Sequence, residues 1–284
     1  MTLRKLSLLC AVAAFVMNSA AVGSLSAQAA PAAEKAGAAK APFTPQSGQA
    51  GKDVVWVPTP QALVDRMLDM AQLAKQDYLI DLGSGDGRTV ITAAKRGTRA
   101  LGIEYNPDMV TLAKSNAETE GVSGLATFER ADIFQSDFSK ASVITLFLLP
   151  ELNIRLRPIL LNMKPDTRVV SNTFNMGDWM PDETIDAGGD CTSWCTAYKW
   201  IVPAKVSGDW QMAGGGQLKL TQTYQALDGM LTMAGKPMPI ANAKMNGTEI
   251  AFVVTGKRYT GRVEGSTMKG SIEGGGSWSA TRGQ

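Results

Sequence analysis

The 284-residue chain has no histidine and only three cysteines. The first absence removes the Ser-His-Asp triad, the histidine-bound zinc site and the histidine general base together. The second excludes a four-cysteine metal site and a dense disulfide scaffold, so no metal is expected. Charge of one sign is also scarce: 28 basic against 26 acidic residues leave a formal net charge of +2. No strong overall field draws such a chain to nucleic acid, and no nucleic-acid partner is expected. The remainder, 44% hydrophobic and 19% charged, suits one large or two small globular domains.

What is present begins with an export signature. Arg4 and Lys5 precede a mostly apolar stretch from Leu6 to Val16, and Ala27-Gln28-Ala29 fits the small-x-small cleavage pattern. Residues 1–29 are therefore expected to be a cleaved signal peptide. The mature protein would then lie in the periplasm or cell envelope, with no membrane span retained. Cleavage takes away two basic residues and no acidic one, leaving 26 of each. Residues 30–51 are rich in Ala, Gly and Pro, with Phe43 as their only large apolar residue. They are expected to be a flexible linker.

Residues 52–204 alternate apolar strands with helical patterns. Thr59-Pro60 reads as a helix start with Thr59 as the N-cap, and Leu63, Val64, Met67, Leu68 and Ala71 share one face. Strands are expected at Tyr78–Leu82, Ala100–Ile103, Ala126–Phe128, Val143–Leu149 and Arg168–Ser171. Helices are expected from Arg88 to Lys95, from Asn106-Pro107 to Gly121, and from Leu152 to Met163 with a kink at Pro158. That alternation implies a parallel sheet covered on both faces. Residues 205–284 differ: they hold 15 of the 29 glycines and show no helical period. Asp228-Gly229, Asn246-Gly247 and Glu264-Gly265 are spaced 18 residues apart, with Gly235-Lys236 and Gly256-Lys257 between them. Read as hairpin turns, these pairs predict an antiparallel meander or small barrel of about six to eight strands.

The chemical signal is Asp81-Leu-Gly83-Ser84-Gly85-Asp86-Gly87, between a strand and a helix. Glycines let backbone approach a ligand and turn into a helix N-terminus. The dinucleotide fingerprint fails, because Arg88 stands at its last glycine position. Two acids in the loop suit a ligand with positive charge. Glu104 closes the second strand, where a carboxylate can take both ribose hydroxyls. Asp132 follows the third strand, where it can accept from an adenine amino group. S-adenosylmethionine (SAM) combines a cationic amino acid end, a ribose and an adenine.

This array resembles the class I SAM-dependent methyltransferases. The resemblance implies a Rossmann-like α/β fold with a seven-stranded sheet, its last pair supplied by Glu183–Ala187 and Thr196–Ala204. It also implies that Asp81, Gly83, Ser84, Gly85 and Gly87 hold the methionine moiety, Glu104 the ribose and Asp132 the adenine. On the substrate side, Leu149-Pro150-Glu151-Leu152 with Arg168-Val-Val-Ser171 is similar to the non-SET histone lysine methyltransferases. Phe174-Asn-Met-Gly-Asp-Trp179-Met-Pro181, with Val57-Pro58-Thr59-Pro60, resembles the ATP synthase c-subunit lysine methyltransferases and their bacterial relatives. A protein-lysine acceptor follows from the resemblance, with Thr145, Phe147, Leu149, Pro150, Glu151 and Trp179 as candidate substrate residues. One departure stands out: where the histone enzymes carry an Asn-rich strand end, this chain has Thr145-Leu146-Phe147. No residue is assigned as a catalytic general base. Two alternatives stay open on the sequence, a small-molecule methyltransferase and a non-catalytic envelope-binding module.

Cys191 and Cys195 are the only cysteines left after cleavage. Four residues apart in a straight strand they would be too distant to bridge; in a turn they come within about 6 Å. Gly188-Gly189 just before them favours a turn, so a Cys191–Cys195 disulfide is predicted at the hairpin tip.

Overall fold

The structure is a computed structural model describing residues 43–189 and 191–283. The expected signal peptide and most of the expected linker lie outside the described residues. Strands β1 (Tyr78–Leu82), β2 (Arg99–Glu104), β3 (Ala126–Arg130), β4 (Val143–Leu146), β5 (Arg168–Asn172), β6 (Glu183–Asp186) and β7 (Thr196–Ile201) form one sheet in the order β3-β2-β1-β4-β5-β7-β6. Neighbours pair in parallel from β3 to β5; β7 alone runs against them, pairing antiparallel with both β5 and β6. The strands carry buried apolar residues on both faces because helices α1 (Gln61–Met70), α2 (Arg88–Lys95), α3 (Pro107–Thr119) and α4 (Pro150–Leu160) cover the sheet.

Two of the four helices, α2 and α3, start where their local signals place them. Asn106 caps α3, its side chain accepting from the Asp108 amide at 2.9 Å, with Pro107 in the first turn. Helix α1 departs from expectation by one residue. Pro60, not Thr59, is its N-cap, and no side chain caps it. Thr59 serves tertiary contacts instead: its hydroxyl accepts from Asn172 at 3.2 Å and its carbonyl from Arg88 at 2.8 Å. Helix α4 begins at Pro150, two residues early, and runs through Pro158 to Leu160.

The second half is a closed barrel. Strands β8 (Gly208–Met212), β9 (Gly216–Thr223), β10 (Ala226–Met233), β12 (Ala241–Asn246), β13 (Glu249–Val254), β14 (Lys257–Glu264), β15 (Thr267–Ile272) and β16 (Ser277–Arg282) pair in sequence, and β16 returns to β8. Short β11 (Lys236–Pro239) hangs on β10 as a ninth strand. The interior is filled by side chains, with Phe252 packed against Tyr259 and Trp278. The expected turn at Asp228-Gly229 is not one: both residues lie inside β10. A Cβ on Gly229 would run into the Lys219 carbonyl, so this glycine serves close strand approach.

The barrel is bonded to the sheet domain. Tyr224 stacks on Trp179 with ring centroids 6.1 Å apart, and its hydroxyl donates to Asp178 at 3.0 Å. Asp166 accepts from the Thr248 amide at 2.7 Å. The connection after β7 is itself paired: Ala204 N donates to Gly247 O and Val206 N to Gln222 Oε1, each at 2.8 Å.

Candidate functional site

One large cleft opens at the C-terminal ends of β1, β2 and β4, the usual ligand edge of an open α/β sheet. The glycine loop forms its floor. Gly83 and Ser84 both donate backbone N–H groups to the Ile103 carbonyl, at 2.8 and 3.1 Å, which ties the loop to β2. Gly83, Gly85 and Gly87 all have positive φ, a backbone shape that L side chains rarely take. Their surroundings differ. A Cβ on Gly87 would meet Phe128 at 2.6 Å, in the core, whereas one on Gly85 would meet the Trp56 indole in the cleft. Gly87 therefore supports packing, and it does not line the cleft.

The three acids expected to hold the cofactor surround this loop. Asp81 ends up 7% exposed, its carboxylate accepting from the Thr145 hydroxyl at 2.7 Å. Burial pushes its pKa up to about 7; the Thr145 bond pulls it down, while nearby Glu104 and Asp86 add to the rise. Glu104 accepts from the Gly85 amide at 3.0 Å and the Asn106 amide at 2.9 Å, so it braces the loop as well as facing the cleft. Asp132 accepts from the Phe134 amide at 2.9 Å through one oxygen and from Lys52 at 2.7 Å through the other. The Lys52 bond holds the Asp132 carboxyl below its ordinary range.

Lys52 belongs to a strap that the composition did not foretell. Gly48 N donates to Trp56 O at 2.8 Å and Trp56 N to Gln49 O at 2.9 Å, folding residues 46–56 back on themselves. Residues 49–59 then line the cleft above the glycine loop. The last described part of the expected linker is thus hydrogen-bonded into the site wall.

The candidate substrate residues separate into two groups. Phe147 and Leu149 line the cleft. Thr145 is buried beneath it as the partner of Asp81. Pro150 opens α4 and Glu151 lies exposed in its first turn; neither lines the cleft. Trp179 is 0% exposed, enclosed by Trp200 and Tyr224, and belongs to the seam with the barrel. Trp56, Tyr105, Phe174 and Trp194 also line the cleft, and two of them, Phe174 and Trp194, form with Phe147 a triangle of rings 5.7 to 5.9 Å apart. The sequence carries little signal for Trp194. It stands in the short loop closed by the Cys191–Cys195 disulfide, whose Cα atoms lie 5.7 Å apart as the turn geometry requires.

The cleft as a whole fits SAM. Its lining carries five carboxylates, Asp53, Asp81, Asp86, Glu104 and Asp132, against two cations, Lys52 and Arg88. Both cations are paired with acids, Lys52 with Asp132 and Arg88 with Asp86 at 2.6 Å. A ligand bearing an ammonium and a sulfonium suits that balance, and Gly85 keeps the floor open to it.

Known proteins agree. Residues 81–183 match the ANTKMT methyltransferase domain. A protein-lysine N-methyltransferase of Saccharolobus islandicus is 44% identical over 135 residues, covering 46% of this chain and 84% of that protein. The human ATP synthase c-subunit lysine N-methyltransferase is 35% identical over 140 residues, 49% of this chain; the match spans 59% of the human protein. Among solved structures, an RNA methyltransferase from Salinibacter ruber, in complex with S-adenosyl-L-homocysteine (SAH), is 47% identical. It superposes with a TM-score of 0.50, covering 53% of this chain and 96% of that one. With an acid-rimmed glycine loop at the right strand edge and relatives of this closeness, the chain belongs to the SAM-dependent methyltransferase family.

Proposed function

We propose that this protein transfers the methyl group of SAM to the side-chain nitrogen of a protein lysine. The observation that carries the reading is the chemistry of the acceptor end. Phe147, Leu149, Phe174 and Trp194 make it apolar, and the acids of the rest of the cleft favour cationic partners. SAM supplies a methyl group on a sulfonium, which needs no metal and no acid to activate it. The chain's own residues bind, orient and exclude water. Asp81 and the backbone of residues 83–85 hold the amino acid end, Glu104 the ribose and Asp132 the adenine. The rings around the acceptor end keep water from competing and align the amine with the methyl carbon. A lysine must shed its proton before it can attack, and apolar surroundings lower its pKa toward that state.

The relatives carry names for two kinds of acceptor, lysine and RNA. The lining here favours lysine, since both cations in the cleft are already paired and neither is free for a phosphate. Export to the cell envelope is part of the same proposal. It is supported by the residue pattern of 1–29 and by a disulfide, a bond that persists in oxidising compartments. Among the described residues no helix is long and apolar enough to cross a membrane.

The test incubates the protein with methyl-labelled SAM and a cell-envelope extract. Label should appear in protein and, after acid hydrolysis, run with methylated lysine. Label in nuclease-sensitive material would favour RNA, and label in the small-molecule fraction would favour a metabolite acceptor.

A further inference from the structure

Trp194 sits where a short loop has little reason to hold a large ring. It lies between β6 and β7, is 42% exposed, and has φ 59°, a conformation unfavourable for a bulky residue. Two constraints hold it there. The Cys191–Cys195 bond closes the loop on both sides of it, and the Ala187 amide donates to the Cys195 carbonyl at 2.8 Å at the loop's base. Its ring then completes the triangle with Phe147, at the end of β4, and Phe174, after β5. Phe174 is also fixed from below. Its carbonyl accepts from the Ser171 hydroxyl at 2.7 Å and from Asn153 on α4 at 3.1 Å. Three rings from three different connections thus converge on one edge of the cleft, and two of those connections carry dedicated bonds that place the ring.

We propose that Phe147, Phe174 and Trp194 form the wall on which the acceptor's alkylammonium side chain lies, and that the Cys191–Cys195 disulfide is the brace that keeps Trp194 in that wall. The inference rests on the lysine reading above. A lysine stem is four methylenes long and gains by lying on apolar rings while its charged end stays elsewhere. Phe147 and Phe174 alone leave the wall open on its solvent side, where Trp194 stands. The cysteines touch no ligand; they are positioning residues acting through Trp194. Without the bond, the loop loses the constraint that offsets the cost of a positive φ at tryptophan, and the ring leaves the triangle.

The experiment follows the Trp194 indole N–H by NMR in the SAH-saturated protein, its signal assigned by its loss in Trp194→Phe. Nα-acetyl-lysine amide is the probe and Nα-acetyl-alanine amide the control. The lysine probe should shift the Trp194 signal and the alanine control should not. In the Cys191→Ser/Cys195→Ser protein, and in the wild-type protein reduced with a phosphine, the probe should bind at least about fivefold more weakly. SAH affinity should stay unchanged, and reoxidation of the reduced protein should restore binding. The proposal is overturned if the probe leaves the Trp194 signal unmoved, or if breaking the disulfide leaves probe affinity intact. A fall in SAH affinity in step with probe affinity would also overturn it, by assigning Trp194 to the cofactor. The lysine reading fails separately: probe binding at Trp194 with no methylated lysine in the envelope extract would retain the wall and reject lysine as the methylated acceptor.

Discussion

Lys52 bonds to Asp132 across 80 residues of sequence, its ammonium 2.7 Å from the carboxylate expected to meet adenine. Residues 49–59, which carry Lys52, form the wall above the glycine loop, so opening of this strap is expected to accompany cofactor entry and release. Lys52→Ala should therefore speed both binding and release of SAH, with a smaller change in the equilibrium constant. Trp56 in the same strap provides the fluorescence signal for stopped-flow traces. High salt should imitate the substitution, since the pair is partly exposed. Rates that ignore both changes would mean that the strap does not gate the cleft.

Gly85→Ala should lower SAH affinity at least about tenfold while leaving the melting temperature within a few degrees of wild type. The added methyl falls on the Trp56 indole inside the cleft. Gly87→Ala should do the reverse. Its methyl meets Phe128 and Ala113 in the core, so stability falls first. Calorimetric titration beside thermal melts separates the two.

Glu104→Ala should cost about 2 kcal/mol of SAH binding, the scale of one hydrogen bond to a charged group. Glu104→Gln should recover part of it, because a side-chain oxygen can still accept from Gly85 or Asn106. Equal losses in the two variants would show that charge, and not loop support, dominates.

The buried Asp81 couples the cofactor to pH. Its carboxyl keeps its proton up to about 7 in the folded chain, against an ordinary value of 3.8. The folded state therefore binds the extra proton, and this contribution to stability is complete below the lower value and lost as pH climbs through the upper one. The ammonium of the ligand's amino acid end prefers the carboxylate. SAH affinity should rise with pH between about 5 and 7 and then level off, with proton release visible in buffers of different ionisation heat. Asp81→Asn should flatten that profile. A wild-type profile that is already flat would remove Asp81 from contact with the ligand's ammonium.

The strand and helix order, the glycine loop and the acids at the ends of β1, β2 and β3 are legible in the sequence because each rests on local spacing. The disulfide is legible for the same reason: four residues after a Gly-Gly turn leave little choice. The strap is not, because its order comes from Lys52 reaching Asp132 and Trp56 reaching Gly85, contacts that no composition window contains. Trp179 stands in the more suggestive motif, yet Tyr224 of the barrel buries it, and Trp194 takes the place at the cleft edge. The turn before β10 escapes a reading by turn residues because Tyr224, with φ 55°, occupies a place where glycine or asparagine would have announced it.

The bonded connection after β7 bears on how the molecule comes apart. Ala204 and Val206 spend their amides on barrel residues, and Trp179 lies closed between the two halves. Neither half can melt without exposing that tryptophan and orphaning those amides, so heating should give one calorimetric transition in place of two. SAH, although its expected contacts lie wholly on the sheet side, should then raise the melting temperature of the barrel as well.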